Sequence, residues 1–176
     1  LDDYKLMGTP HRIPLFDEVL ELTAGDVGMI IEIKPAAGSR VDKVCNAVYD
    51  RLKDYKGNYC IESFDNDIVD WWTLNHPEVI TGQLYDPFFL HTGALKLMKQ
   101  YRKVDFLSLR VDQTGKPYFT SIKSAHPDKL IVAWTVRTPD QLEIAKQYAD
   151  TVIFEHSDKC DGYISVNDAL SFTDKK

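Results

Sequence analysis

The fold is indicated most clearly by the stretch Leu130-Ile-Val-Ala-Trp-Thr-Val136, which runs without a charged side chain. Such a run is typical of a strand that a parallel sheet buries on both faces. The stretch Thr138-Pro-Asp-Gln141 follows, with a threonine N-cap, a proline at the first helical position and a glutamine at the third. Together the two stretches predict a strand that leads directly into a helix.

Strand patterns and helix patterns alternate in the same way along the rest of the chain. The predicted strands are Val27–Lys34, Tyr59–Phe64, Val79–Tyr85, Val104–Val111, Leu130–Val136 and Thr151–Glu155. The helical period predicts helices at Pro14–Leu22, Val41–Leu52, Ile68–Trp72, Ala94–Tyr101, Tyr118–Ala125, Leu142–Tyr148 and Ser165–Leu170. Ser39 with Asp42, and Asp65, are expected to cap the helices that follow them.

Six strand–helix units in a row predict a single α/β domain over residues 1–176, with a parallel sheet and helices outside it. Two architectures fit this order. One is an open doubly wound sheet, and the other is a TIM-type (β/α)8 barrel that lacks part of its circumference. The sequence contains neither a G-x-G-x-x-G turn nor a G-x-x-x-x-G-K-[ST] loop, so nucleotide binding loses its main support.

The composition is that of an ordinary globular protein, with 44% hydrophobic and 27% charged residues. The net charge is −6 and no basic cluster occurs, which argues against a nucleic-acid partner. No apolar run in the sequence is long enough to span a bilayer, neither Met29–Ile31 nor Leu130–Trp134. The three cysteines form no C-x-x-C pair, so neither a zinc site nor a disulfide framework is indicated. The compartment stays open, with the cytoplasm favoured.

The first predicted strand carries two charges near its carboxyl end. Because side chains alternate along a strand, Met29, Ile31 and Ile33 should face the outer helices. Glu32 and Lys34 should point inward, at the end of the sheet where α/β proteins build their sites. An inward Glu and Lys are costly unless they pair with each other or engage a metal or an anion. The residues alone leave a structural ion pair and a functional site equally open.

Several short motifs together resemble the glycerophosphodiester phosphodiesterase family. Ile13-Pro-Leu-Phe-Asp-Glu-Val-Leu-Glu-Leu22 followed by Ile31-Glu-Ile-Lys34 is similar to the family's I-P-T-L-E-E-V-L helix and its strand ending in I-E-I-K. The resemblance continues, in family order, through Ser63-Phe-Asp65, Gly82-Gln-Leu84, Trp134-Thr-Val136 and Asp161-Gly162. It implies a (β/α)8 barrel that hydrolyses glycerophosphodiesters to glycerol 3-phosphate and an alcohol, with Mg²⁺ or Ca²⁺.

The resemblance also implies roles for individual residues. Glu32 matches the family's metal-binding glutamate, and a carboxylate suits a hard cation. Lys34 matches the lysine beside it, which would face the phosphate and stabilise developing charge. Trp134 matches a tryptophan at the barrel mouth that packs near the glycerol moiety, although a core aromatic is nearly as good an interpretation. Gln83 and Ser63 are candidate pocket residues, with structural hydrogen bonding as the alternative.

The family's catalytic histidines and its other metal ligands have no match in this sequence. There is no H-R-G turn, no E-x-D pair that follows a strand, and no histidine in the required setting; the five are His11, His76, His91, His126 and His156. Glu32 would then be the lone metal ligand of the chain, which is too few for Mg²⁺ or Ca²⁺. Arg137 and Glu155 also depart from the family pattern, which places the substrate side of the pocket in doubt.

Three hypotheses follow. The chain is the C-terminal three-quarters of a glycerophosphodiester phosphodiesterase whose catalytic motifs lie upstream, and is inactive alone; a complete barrel needs about 250 residues. Alternatively, it is an inactive barrel that binds a phosphodiester or a protein partner. The third is a Schiff-base lyase with Lys34 as the nucleophile.

A barrel without its first strands also leaves two open edges. We expect these edges to be covered by the N-terminal segment, to close on each other, or to pair in a homo-oligomer.

Overall fold

The computed structural model describes residues 5–86, 100–157 and 160–172, and six strands within them form one parallel sheet. The strands are β1 (Met29–Glu32), β2 (Tyr59–Ser63), β3 (Thr81–Tyr85), β4 (Phe106–Arg110), β5 (Leu130–Val136) and β6 (Thr151–Phe154). The helices are α1 (Phe16–Thr23), α2 (Val41–Leu52), α3 (Asn66–Asn75), α4 (Pro117–Ala125), α5 (Pro139–Tyr148) and α6 (Val166–Leu170). A short 3₁₀ turn, Val111–Gln113, follows β4.

The strand order decides between the two predicted architectures. Each strand pairs with the next one along the chain, from β1 through to β6. In a doubly wound sheet the order reverses at a switch point, whereas in a (β/α)8 barrel it does not. The fold is therefore the wall of a TIM-type barrel with six strands described, and the predicted fold class is confirmed.

Helix starts follow their sequence signals at most positions. Thr138 and Gln141 form the expected capping box of α5, Asp65 accepts a hydrogen bond from the Asp67 amide at the start of α3, and Ser165 caps α6. The cap predicted at Ser39 is wrong. The N-cap of α2 is Arg40, because the Ser39 hydroxyl turns back into the preceding loop and donates to the Ala36 carbonyl at 2.7 Å.

The hydrophobic core lies between the sheet and the helices, as the alternation of β1 predicts. Ile31 and Ile33 pack there with α2 and α3, together with Ile61 of β2 and the fully buried Trp72 of α3. Two further clusters continue this layer behind β4, β5 and the last helices. The outer face of the sheet is therefore closed by apolar contacts.

At the amino end of β4, the aromatic ring of Phe106 fills the inner face of the sheet. A Cβ atom added at Gly82 would lie 2.1 Å from the ring of Phe106, its register partner across the β3–β4 pair. Glycine at this position leaves the space that the aromatic ring occupies. The opposite, carboxyl end of the inner face stays open, and the cavity described below lies there.

The two edge strands have no further strand partner in the ranges that the structure describes. Residues near the N-terminus bridge among themselves, with Lys5 antiparallel to Arg12, and do not add a strand to β1. Pairing of the edges in a homo-oligomer stays a prediction.

The predicted helix over Ala94–Tyr101 falls largely outside the described residues. None of the helices that the structure describes is long and apolar enough to cross a membrane.

Candidate active site at the carboxyl ends of the strands

A cavity of about 740 Å³ opens where the strands end. Its wall comes from the carboxyl ends of β1, β2, β3, β5 and β6 and from the residues just after them. Of the residues singled out in the sequence, four line it: Glu32, Lys34, Ser63 and Trp134. Side chains that are separated by up to about a hundred positions in the sequence thus meet at one opening.

Glu32 and Lys34 form an ion pair across this opening. The Lys34 Nζ lies 2.9 Å from Glu32 Oε2, with the lysine side chain 74% exposed and the glutamate 28% exposed. The other carboxylate oxygen, Oε1, is buried and has no hydrogen-bond partner. The mutual ion pair is therefore present, and it leaves one oxygen of Glu32 available to a ligand.

Glu62 is a second carboxylate in the cavity, and it is not among the residues predicted from the sequence. It stands directly opposite Glu32 in the register of β1 and β2, so the two side chains point to the same inner face. Glu62 is only 4% exposed, and its Oε2 has no hydrogen-bond partner. The signal that could have found it is its place in Tyr59–Ser63, where it alternates with the outward-facing Ile61.

Burial raises the pKa of Glu62 from its ordinary value of 4.5 to about 7. The hydroxyl of Ser108 acts against this rise, the neighbouring charge of Glu32 adds to it, and the charge of Lys34 again lowers the pKa. The cause is that a carboxylate taken out of water loses its solvation, whereas the neutral acid loses little. Glu62 therefore titrates near neutral pH while Glu32 lies beside it.

Ser63 and Gln83 connect the strand ends to each other. The Ser63 hydroxyl donates to the Ile33 carbonyl at 2.6 Å and accepts from the Asp65 amide at 3.1 Å. The Gln83 amide nitrogen donates to the carbonyls of Ser63 and Leu84, both at 2.9 Å. Gln83 is fully buried and lies behind the cavity wall, whereas Ser63 reaches the lining. Both residues make the structural hydrogen bonds that were the alternative to a pocket role.

Trp134 forms an apolar wall of the cavity together with Phe64. The two rings meet edge to face, with centroids 5.7 Å apart and planes at 86°. The indole Nε1 of Trp134 is buried and has no hydrogen-bond partner. The aromatic pair offers a surface against which the carbon skeleton of a small ligand could pack.

The remaining carboxyl groups of the lining have protein partners. Asp65 caps α3, and Asp86 accepts from Arg110 at 3.4 Å. At the ends of β5 and β6, Arg137 and Glu155 form an exposed ion pair at 2.8 Å. Among the described carboxyl groups of the cavity, Glu32 and Glu62 are thus the two with a buried oxygen that has no hydrogen-bond partner.

These two carboxylates fit part of a divalent-cation site. Oxygen ligands of this kind suit Mg²⁺ and Ca²⁺, which take about six to eight of them. Within the described ranges, no group of three or more His, Cys, Asp or Glu side chains is placed to hold a metal ion. Likewise, none of the four described histidines, His11, His76, His126 and His156, lines the cavity. At this cavity, the described part of the chain offers two carboxylate ligands and a lysine, and no imidazole.

The class that this fold and cavity define is a TIM-type α/β barrel with a site at the carboxyl ends of its strands. No family model matches the sequence, and no curated protein is significantly similar to it. Solved structures do share the fold. A phosphodiesterase from Oleispira antarctica, in complex with the product sn-glycerol-3-phosphate, matches with a TM-score of 0.70 and 18% identity over 92% of this chain and 62% of that chain.

Two further structures are similar. A glycerophosphodiester phosphodiesterase from Thermotoga maritima matches with a TM-score of 0.64 and 22% identity, over 81% of this chain and 60% of that one. One from Parabacteroides distasonis matches with a TM-score of 0.55 and 13% identity, over 72% of this chain and 52% of that one. The chain therefore shares the fold of glycerophosphodiester phosphodiesterases and spans between 52% and 62% of the length of these three structures.

Proposed function

We propose that this chain is the C-terminal part of an enzyme that hydrolyses glycerophosphodiesters to glycerol 3-phosphate and an alcohol with the help of Mg²⁺ or Ca²⁺. The observation that carries the proposal is the pairing of Glu32 with Lys34 at the mouth of a cavity in this particular fold. A structure with the same fold holds sn-glycerol-3-phosphate as its product. The ordered family motifs in the sequence point to the same chemistry.

Four residues of the cavity have a role in this proposal. Glu32 would hold the divalent cation through Oε1, the oxygen that Lys34 leaves unpaired. The cation, when bound, would polarise a phosphoryl oxygen as a Lewis acid. Lys34 would face the phosphate as a point charge and stabilise the charge that develops there. Trp134 and Phe64 would pack against the glycerol moiety.

The general acid and general base are expected from the complete protein rather than from the described residues. None of the described histidines lines the cavity, and proton transfer to a leaving alkoxide needs a group within hydrogen-bond reach. We therefore expect the 176-residue chain alone to be inactive and the complete protein, with H-R-G and E-x-D upstream of Leu1, to be active.

The test is release of glycerol 3-phosphate from a panel of glycerophosphodiesters by the complete protein, with and without EDTA. We expect release that EDTA abolishes and that Glu32→Gln lowers by about 100-fold or more, since a site loses a central electrostatic contact. Glu78→Gln is the matched control, because Glu78 is an exposed carboxylate before β3, at the opposite end of the sheet. No release from any substrate, or release that Glu32→Gln leaves unchanged, would contradict the proposal.

A second candidate is a barrel that binds a phosphodiester or a protein partner without turnover. The same observation favours it, because a cavity whose described lining has carboxylates and a lysine but no imidazole can bind without catalysing. Saturable binding of sn-glycerol 3-phosphate by the complete protein, together with no release in the assay above, would support this candidate over the enzyme.

The lyase hypothesis finds less support. A lysine nucleophile is activated by desolvation or by a neighbouring cation. Lys34 is instead largely exposed and paired with a carboxylate. Borohydride treatment with carbonyl compounds should therefore leave Lys34 unmodified.

A further inference from the structure

We propose that Glu62 is a second protein ligand of the divalent cation, and that it binds the cation together with Glu32 at the carboxyl ends of β1 and β2. The inference rests on the proposed function, since it assigns this chain's own residues to the metal of that function. It goes beyond the sequence motifs, which point to Glu32 alone.

The first argument is geometric. Glu32 and Glu62 are register partners on neighbouring parallel strands, which lie about 4.8 Å apart. Residues paired in this way project to the same face of the sheet, and both side chains line the cavity. Two carboxylates that leave adjacent strands in parallel can direct one oxygen each at a single ion, which is how hard cations are bound.

The second argument concerns the oxygens themselves. Glu32 Oε1 and Glu62 Oε2 are both buried and have no hydrogen-bond partner. Buried polar atoms of this kind are uncommon in folded proteins, and a buried carboxylate is costly unless it is paired or bound to a metal. Glu62 is more than nine-tenths buried, so bulk water does not solvate it instead. A bound cation would contact both oxygens at once.

The third argument is the balance of charge in the cavity. Lys34 is the one amine of the lining within the described residues, and its Nζ contacts Glu32 Oε2. The lining contains four carboxyl groups, Glu32, Glu62, Asp65 and Asp86, against this one amine, and Asp86 is paired with Arg110. A divalent cation would offset part of this excess of negative charge and so favour the approach of an anionic phosphodiester. The pair of glutamates thus suits the cation and the proposed substrate together.

The test is calorimetric titration of Mn²⁺ into the complete protein after treatment with EDTA and dialysis. We expect the wild type to bind Mn²⁺, and we expect Glu62→Gln and Glu32→Gln each to weaken the affinity by about tenfold or more, because each removes one charged ligand. The exposed Glu78→Gln should bind as the wild type does. Glu62→Asp, which keeps the charge but shortens the side chain, should give an intermediate affinity.

The same variants show whether a lost ligand or a damaged fold is responsible. Without metal, Glu62→Gln should have a thermal midpoint at or above that of the wild type, because it removes a buried charge and keeps the shape. With Mn²⁺, the wild type should gain more thermal stability than Glu62→Gln does. An affinity in Glu62→Gln equal to that of the wild type, or a wild type that binds no Mn²⁺, would overturn the inference.

The outcomes also separate this inference from the proposed function. If the complete protein releases glycerol 3-phosphate but Glu62→Gln binds Mn²⁺ like the wild type, the function stands and the role of Glu62 is wrong. If Mn²⁺ binding depends on Glu62 but no glycerophosphodiester is hydrolysed, the metal site stands and the enzymatic function is wrong.

Discussion

The two faces of β2 differ in chemistry although their side chains are neighbours in sequence. Ile61 faces the helices, is fully buried and packs in the apolar core with Ile68 and Trp72. Glu62, the next residue, faces the barrel interior with a buried oxygen that has no hydrogen-bond partner. The outer face contributes stability, whereas the inner face contains a group that burial disfavours. A protein retains such a group where a ligand uses it, at the expense of stability.

The largest effect on stability is expected on the outer face. Ile61→Ala should lower the free energy of unfolding by about 2–5 kcal/mol, because it removes buried methyl groups and leaves a cavity between β2 and α3. Urea unfolding followed by circular dichroism measures it. A loss below about 1 kcal/mol would mean that the outer face is not the closely packed layer described above.

Glu62→Gln should change stability in the opposite direction, by up to about 3 kcal/mol in EDTA above pH 7. Because the pKa of Glu62 is raised from 4.5 to about 7 in the folded protein, the contribution of this group to stability is fully present below pH 4.5 and is lost as the pH rises through 7. The glutamine variant lacks this loss. Unfolding free energies at a series of pH values test the difference, and a difference that does not depend on pH would contradict it.

Ser63→Ala should lower stability by about 1–2 kcal/mol, since it leaves the Ile33 carbonyl and the Asp65 amide without their shared partner. This loss is smaller than the loss expected for Ile61→Ala, and it is opposite in sign to the change expected for Glu62→Gln. Ser63→Thr keeps the hydroxyl and is the matched control. If Ser63→Ala unfolds like the wild type but weakens binding of sn-glycerol 3-phosphate, the residue contacts the ligand and does not support the fold.

Lys34→Met should have the smallest effect on stability, within about 0.5 kcal/mol, because exposed ion pairs contribute little. The same variant should nevertheless weaken binding of sn-glycerol 3-phosphate by the complete protein, since the charge that faces the phosphate is lost. Thermal unfolding and a ligand titration measure the two effects. A large loss of stability with unchanged binding would assign Lys34 to the fold.

The alternation along β1 was predictable from the sequence, and the strand order was not. The apolar and charged residues of Met29–Lys34 fall on the predicted faces because a strand has a period of two residues. The choice between a barrel and a doubly wound sheet depends on which strands pair, and the hydrophobic pattern does not contain that information. The pattern alone therefore left both architectures open, the family resemblance implied the barrel, and the order of β1 to β6 confirms it.

Glu62 and Ser39 illustrate why the rest could not be predicted. The meeting of Glu62 with Glu32 depends on register, since a shift by one residue would turn Glu62 to the other face. Ser39 has the right type and spacing for a cap, but its hydroxyl satisfies a carbonyl of its own loop instead. Asp65 and Thr138 instead accept hydrogen bonds from backbone amides of the helices that follow them, so the local signals predicted these two helix starts correctly.

The most direct test of the account is an anomalous difference map from crystals of the complete protein grown with Mn²⁺ and sn-glycerol 3-phosphate. The account predicts a manganese peak within coordination distance of Glu32 and Glu62, with the phosphate between the metal and Lys34. A peak at other residues, or a phosphate bound outside the cavity at the carboxyl ends of the strands, would contradict it.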